Sequence, residues 1–261
     1  MSSDFAAGAT AGMMTDTIFY SLDSYKVMRQ AGDKIQVNRL FRGLPFVLVS
    51  GSGPSFGIFF GIYGPIKSYL MKIFPDSHIP CSTAASIIGG TMSSIAGVPS
   101  DVIKKRVVLG VDSSAVIAFS NVIKVDGISG LFLGWRANLV KDIPFAALKL
   151  TLYEAVWNLY LKGYKHEFDH REPNIKESAI VGLISGGITG ILTCPLDVVN
   201  TRIKSGELSH LGLIEAHVEV AKVNGIGALF RGLGPRVTIM SLGSLFFWSL
   251  FAKSKEFWSQ I

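Results

Sequence analysis

Apolar positions run along this chain in stretches too long for a soluble core. No Asp, Glu, Lys or Arg occurs from Gly43 to Ile66, from Ser77 to Ser100, or from Ser178 to Leu196. A helix crosses a bilayer with about 20 mostly apolar residues, so each stretch predicts a spanning helix. Residues 4–29, 136–161 and 234–258 are also apolar and long enough, although isolated charges interrupt them. Six spans result. Gly and Pro inside them argue against barrel strands, which alternate lipid-facing and lumen-facing residues over about 10 positions. The predicted class is an all-α membrane protein with six transmembrane helices.

Composition narrows the picture. Of 261 residues, 49% are hydrophobic and 17% charged, against about 25% charged in average soluble chains. Disorder is excluded. Cys81 and Cys194 are the only cysteines, too few for a disulfide scaffold. Six spans put both termini on one side. Lys and Arg counted against Asp and Glu give +8 for the loops 24–43, 102–136 and 198–231, and zero for the loops 68–80 and 162–177. The net charge of +6 is therefore mostly topological, and no nucleic-acid partner is expected. The opening Met1-Ser2-Ser3-Asp4-Phe5 has neither the Arg richness nor the layout of a cleaved presequence.

The chain repeats. Ser21-Leu22-Asp23-Ser24-Tyr25-Lys26, Pro99-Ser100-Asp101-Val102-Ile103-Lys104 and Pro195-Leu196-Asp197-Val198-Val199-Asn200 each close a Gly-rich apolar stretch. After a loop come Leu40-Phe41-Arg42-Gly43, Leu131-Phe132-Leu133-Gly134 and Leu229-Phe230-Arg231-Gly232. The aspartates lie 78 and 96 residues apart, so the first loop is truncated. The repeats fall at 1–76, 77–170 and 171–261, together one transmembrane domain. Apolar spacing predicts short amphipathic helices at 113–124 and 211–223, while 31–41 is too short for a complete one.

On these residues the chain resembles the mitochondrial carrier family, whose signature is P-x-[DE]-x-x-[KR]-x-[KR] followed by an acidic-Gly and aromatic-[KR]-Gly element. The resemblance implies six tilted helices in three pseudo-threefold repeats, with short helices on the matrix face. It implies an inner-membrane carrier of a small molecule, monomeric in the bilayer, with cardiolipin at the matrix helix ends. It also implies a matrix gate in which Asp23 pairs with Lys104, Asp101 with Asn200 and Asp197 with Lys26, Gln30 bracing one bridge. Asn200 has no charge, so one bridge weakens to a hydrogen bond, and Ser21 replaces the first kinking proline. The family's opposite gate, [FY]-[DE]-x-x-[KR], leaves Lys67, Glu154 and Lys255, with Glu154 and Lys255 as the expected pair.

Ionisable residues inside spans are costly and line a path. Besides the gates these are Asp16, Lys141, Asp142, Lys149 and Arg236. Thr15-Asp16-Thr17-Ile18-Phe19, Pro99-Ser100-Asp101-Val102-Ile103-Lys104 and Lys141-Asp142-Ile143-Pro144-Phe145 resemble the S-adenosylmethionine carrier branch. That substrate has a sulfonium, an ammonium and a carboxylate. The expected site has Asp16 and Asp142 on the cations, Lys141 or Arg236 on the carboxylate, and Gly51 and Ser52 leaving room for adenine, with Phe56 placed to stack. Aligning the second helix on Gly43 instead of Pro54 shifts that contact to Ser50. Lys149 departs from the branch. The alternative is a nucleotide or adenine-cofactor carrier, with Lys141, Lys149 and Arg236 on phosphates. His166 and His170, four apart in a charged loop, lack a further ligand. Neither metal, cofactor nor enzyme activity is expected.

Overall fold

Proline and threonine decide where the long helices of this protein bend. A computed structural model describes residues 2–75, 77–135 and 175–259, with residues 138, 139, 152, 156 and 159 between them. Helix α1 (Ser2–Ala31) runs unbroken through Ser21. In the second repeat α4 (His78–Val108) carries Pro99 inside it. In the third, α6 (Ile175–Leu192) and α7 (Cys194–Lys204) meet at 59° across Thr193. Pro195 removes an N–H there and its ring crowds the preceding turn. The Thr193 hydroxyl donates to the Thr189 carbonyl at 2.7 Å. The break is therefore graded: it is full where Pro and Thr act together and absent where Ser stands for Pro.

The second span starts as a short helix, α2 (Leu44–Val47), passes through a π turn (Leu48–Ser52) and continues as α3 (Gly53–Ile73). The last span is α9 (Leu233–Ser259). The amphipathic helices are α5 (Ala115–Leu131) and α8 (Leu213–Asn224), while the first repeat has only the 3₁₀ turn Val37–Arg39. Helix α5 runs past its expected end at 124 because it resumes after a break at Gly127, whose φ is 66°. α8 lies within a residue or two of its expectation.

Helix α1 packs between α3 and α9, α3 lies on α4, and α9 lies on α6. At the basic end α1, α4 and α7 all meet one another. Most of the expected fourth span, 136–161, falls outside the described residues. Among the described residues, Val37–Ile73, Pro80–Val108 and Ile226–Trp258 are long and apolar enough to cross a membrane, and Leu183–Leu192 with Cys194–Lys204 makes a fourth if that bent pair is one span. With 30 residues, α1 is about 45 Å long at 1.5 Å per residue, although Asp16, Asp23 and Lys26 interrupt its apolar run. No strand occurs among the described residues.

The sequence repeat recurs in the backbone. Gly32, Gly110 and Gly206 each stand nine residues after a repeat aspartate and have φ of 77°, 74° and 94°. Gly43 and Gly232, which open the second and last spans, and Gly134, at the same place in the second repeat, have φ of 79°, 76° and 73°. Side chains avoid this region because Cβ meets the following carbonyl. The packing recurs as well. Ile103 and Val107 of α4 bury against Ala118 and Val122 of α5, as Val199 and Ile203 of α7 do against Ala216 and Val220 of α8.

One glycine tests this. A Cβ on Gly232 would lie 3.1 Å from the Lys26 carbonyl oxygen and 3.0 Å from Gln30 Cγ. Gly232→Ala should cost at least about 1–2 kcal/mol from the left-handed backbone alone. Gly227→Ala, where nothing lies within 4 Å, should change little. Thermal unfolding of both variants in detergent checks the difference.

Candidate functional site

The site starts from helix periodicity. Asp16 and Asp23 are seven residues apart on α1, two turns along one face, and Lys26 lies one turn beyond Asp23. At the basic end these side chains meet their counterparts. Lys104 Nζ is 2.6 Å from Asp23 Oδ2, and Lys26 Nζ is 2.7 Å from Asp23 Oδ1. Lys26 also stands 3.5 Å from Asp197 Oδ2. The side-chain amide of Gln30, fully buried, donates to the same Asp197 oxygen at 2.9 Å. The Thr201 hydroxyl donates to Gln30 Oε1 at 2.8 Å, which fixes the amide's orientation.

The third crossing differs from expectation. Asp101 does not pair with Asn200; its cation is Lys204, one helical turn further on, at 2.6 Å, with Lys105 of its own helix at 3.1 Å. An asparagine offers no charge, so the carboxylate takes the nearest ammonium on the facing helix. Asn200 instead donates to Asn138 Oδ1 at 2.9 Å, and its own Oδ1 is buried without a partner. Asp23 to α4, Asp101 to α7 and Asp197 to α1 thus form a closed circuit.

Arg236 belongs to this ring in the structure. Its guanidinium pairs with Asp197 and donates to the Thr193 hydroxyl at 2.7 Å and the Gly190 carbonyl at 3.2 Å. The expectation that it holds a ligand carboxylate is corrected to that extent: all three of these contacts are with α6, α7 and the residue joining them. Lys105, Lys204 and the carboxylate role of Arg236 escaped the sequence reading. A missing charge at position 200 followed by Lys204 at i+4 was the available signal, because residues four apart share a helix face.

Beside the ring lies a cavity of about 270 Å³, lined by Asp16, Tyr20, Ser52, Phe56 and Ser100, with Asp23 and Lys104 at its floor. Lys104 also lies 4.2 Å from the centre of the Tyr20 ring. The Asp16 carboxylate accepts a hydrogen bond from Ser52, and no cation lies within ion-pairing reach of it among the described residues. The space left by Gly51 is filled by Ser100, since a Cβ there would stand 2.6 Å from Ser100 Cβ. Gly51 therefore packs closely on α4, while it also lines the cavity beside Ser52. Lys141, Asp142, Lys149, Glu154, His166 and His170 lie outside the described residues.

At the other end Lys255 pairs with Asp4 at 2.8 Å, and Lys67 sits over the ring of Tyr63, one turn back, at 5.7 Å. Between this end and the cavity, Phe56 stacks on Phe247 at 5.1 Å, and Phe60 meets Phe251 at 4.4 Å. Gly8 and Gly12 of α1 make room for these rings, since a Cβ on either would overlap Phe60 or Phe56.

The family model described as "Mitochondrial carrier protein" matches residues 75–164 and 171–261. This chain belongs to the mitochondrial carrier family. The carrier is 33% identical over 259 residues to "S-adenosylmethionine carrier 1, chloroplastic/mitochondrial" of Arabidopsis thaliana, covering 97% of this chain and 78% of the relative. It is 33% identical over 260 residues to the "Mitochondrial S-adenosylmethionine carrier protein" of Xenopus tropicalis, covering 95% and 93% of the two chains. The Mus musculus protein of the same description is 29% identical over 259 residues, covering 96% and 92%. This chain is a carrier and not an enzyme.

The displaced crossing gives a direct test. Lys204→Met leaves Asp101 with Lys105 alone. Because the Asp101 side chain is 36% exposed, the loss should be only about 1 kcal/mol. Adding Asn200→Lys in the Lys204→Met background should restore thermal stability in detergent, since it returns an ammonium to the facing helix.

Proposed function

We propose that this carrier exchanges S-adenosylmethionine for S-adenosylhomocysteine across the mitochondrial inner membrane by alternating access. One observation carries the substrate reading: the Asp16 carboxylate in the cavity wall is held by a serine hydroxyl and, among the described residues, has no cation within ion-pairing distance, whereas Asp23, Asp101 and Asp197 are all ion-paired. A carboxylate held inside a span without a counter-charge favours a cationic ligand. Asp16 stands two turns from Asp23, about 10 Å along the helix, and Lys104 lines the floor between them. A ligand with a sulfonium and an amine at one end and a carboxylate near them satisfies both. The names of the relatives support the same substrate.

The ring is the matrix gate in this reading. A substrate carboxylate that approaches Lys104 competes with Asp23 for it, and a substrate cation relieves Asp16. Both effects favour the loaded state in which the floor opens, which is what a ligand-driven shift between two conformations requires. A nucleotide instead brings phosphates beside Asp16, while Arg236 is already committed to Asp197.

Purified protein in liposomes loaded with S-adenosylhomocysteine should take up S-adenosylmethionine, and excess ATP or ADP should not compete. Competition by the nucleotides without uptake of the sulfonium compound would reject the reading in favour of a nucleotide carrier. Asp16→Asn should lower uptake at least about tenfold, the worth of a charge-assisted contact in a low-dielectric site. It should leave thermal stability within about 1 kcal/mol, because no native cation loses its partner.

A further inference from the structure

We propose that the π turn of the second span is the element through which occupancy of Asp16 reaches the matrix ring, with Ser50 and Ser100 as its positioning residues. The proposal rests on the substrate reading above and adds how binding is transmitted.

The turn exists for a local reason. Pro54 has no N–H to give the Ser50 carbonyl, and its ring crowds that carbonyl. The Gly53 N–H accordingly reaches back five residues to the Leu48 carbonyl. Such a turn holds one residue more than an α-turn would, so it is one hydrogen-bond register away from regular helix, and turns of this kind concentrate at functional sites. A shift of one register would return it to regular helix, which makes it the segment of this span suited to the switching that coupling requires.

Its side chains tie it to two other helices. Ser52, at its end, donates to Asp16 of α1. Ser50, two residues earlier, donates to the Phe46 carbonyl at 2.7 Å and lies 2.7 Å from the Ser100 hydroxyl of α4. A serine has one proton to give, so Ser50, already donating, accepts from Ser100. Ser100 directly precedes Asp101, whose carboxylate is held by Lys105 and Lys204. Between the two serines Gly51 touches Ser100 with no room for a methyl group, so a shift of the turn is passed on to α4. When a ligand cation binds the Asp16 carboxylate, it draws charge from the oxygen that Ser52 holds and weakens that hydrogen bond. The turn's hold on α1 is loosened, while the serine pair next to Asp101 remains.

The test uses full-length protein in liposomes and measures initial exchange rates over a range of S-adenosylmethionine concentrations. Ser50→Ala and Ser100→Ala should each lower the maximal rate about fivefold, the worth of one neutral hydrogen bond, with the half-saturating concentration unchanged. The double variant should be no slower than Ser50→Ala alone, because that change already removes the bond to Ser100. Ser50→Thr keeps the hydroxyl and should recover most of the rate. Additive losses, a raised half-saturating concentration at full rate, or variants that exchange like the native protein would overturn the coupling and leave the substrate reading standing. Native protein that takes up no S-adenosylmethionine would overturn both. Should either alanine variant fail to fold, Ser50→Thr decides: a maximal rate well below native in folded protein overturns the coupling.

Discussion

Three carboxylates at the basic end, each needing a cation from another helix, are the constraint on which this structure depends. An ion taken from water into a low-dielectric interior loses several kcal/mol of hydration. Asp23, Asp101 and Asp197 recover it in full only while α1, α4 and α7 are together, since their other partners are Lys26, Lys105 and Arg236. The circuit is closed, so one helix cannot leave without exposing charges on both neighbours. Yet the net worth of such pairs is small once desolvation is subtracted. The closure is thus demanding in geometry and modest in free energy, which lets a ligand supply the difference. Among the described residues five cations, Lys26, Lys104, Lys105, Lys204 and Arg236, stand within reach of the three carboxylates. The surplus leaves Lys104, which borders the cavity, exchangeable between Asp23 and an incoming anion.

The third crossing shows how such a ring tolerates the loss of a member. Asn200 fills the place of a cation, and its buried Oδ1 has no partner, a cost of about 1–3 kcal/mol. Lys204 takes over the charge from one turn further out, and Asn138 accepts from both Asn200 and Lys204 at 2.9 and 3.3 Å. The crossing becomes two-tiered, neutral nearer the cavity and charged below. Its weakest polar contact therefore lies on the side from which the ligand approaches.

The amino-acid sequence made much of this legible. Charge-free runs marked the spans, because a bilayer imposes their length. The threefold recurrence of the aspartates located the ring, because symmetry demands equal offsets. Asp16 stood out as a lone carboxylate on the face that carries Asp23. What escaped depended on three-dimensional reach. A flexible lysine four residues from its expected place still arrives, so pairing Asp101 with residue 200 failed. Arg236 looked like a ligand residue because its neighbour Asp197 lies 39 positions away in the chain. Gly51 does line the cavity, but a sequence does not reveal that Ser100 stands against it. The π turn had a signal in Ser50-Gly51-Ser52-Gly53-Pro54, but proline indicates a disturbed register without saying where the freed groups go.

Among the described residues the two ends of the bundle are held together by different physics. The basic end uses ion pairs and a braced amide, which are directional and fail abruptly when a partner turns away. The other end uses stacked rings, Phe56 on Phe247 and Phe60 on Phe251, seated over Gly8 and Gly12. Ring contacts of this kind are short-ranged and tolerant of sliding. The outermost ion pair there, Asp4 with Lys255, has a lysine side chain 54% exposed and is worth little in free energy. Opening the aromatic end thus exposes apolar surface gradually, whereas opening the ionic end requires every carboxylate to find a substitute at once. In the exchange proposed above, a ligand carrying charges of both signs supplies such substitutes at the ionic end and contributes little to the aromatic one. On that proposal the chemistry that selects the ligand and the chemistry that releases the floor are the same.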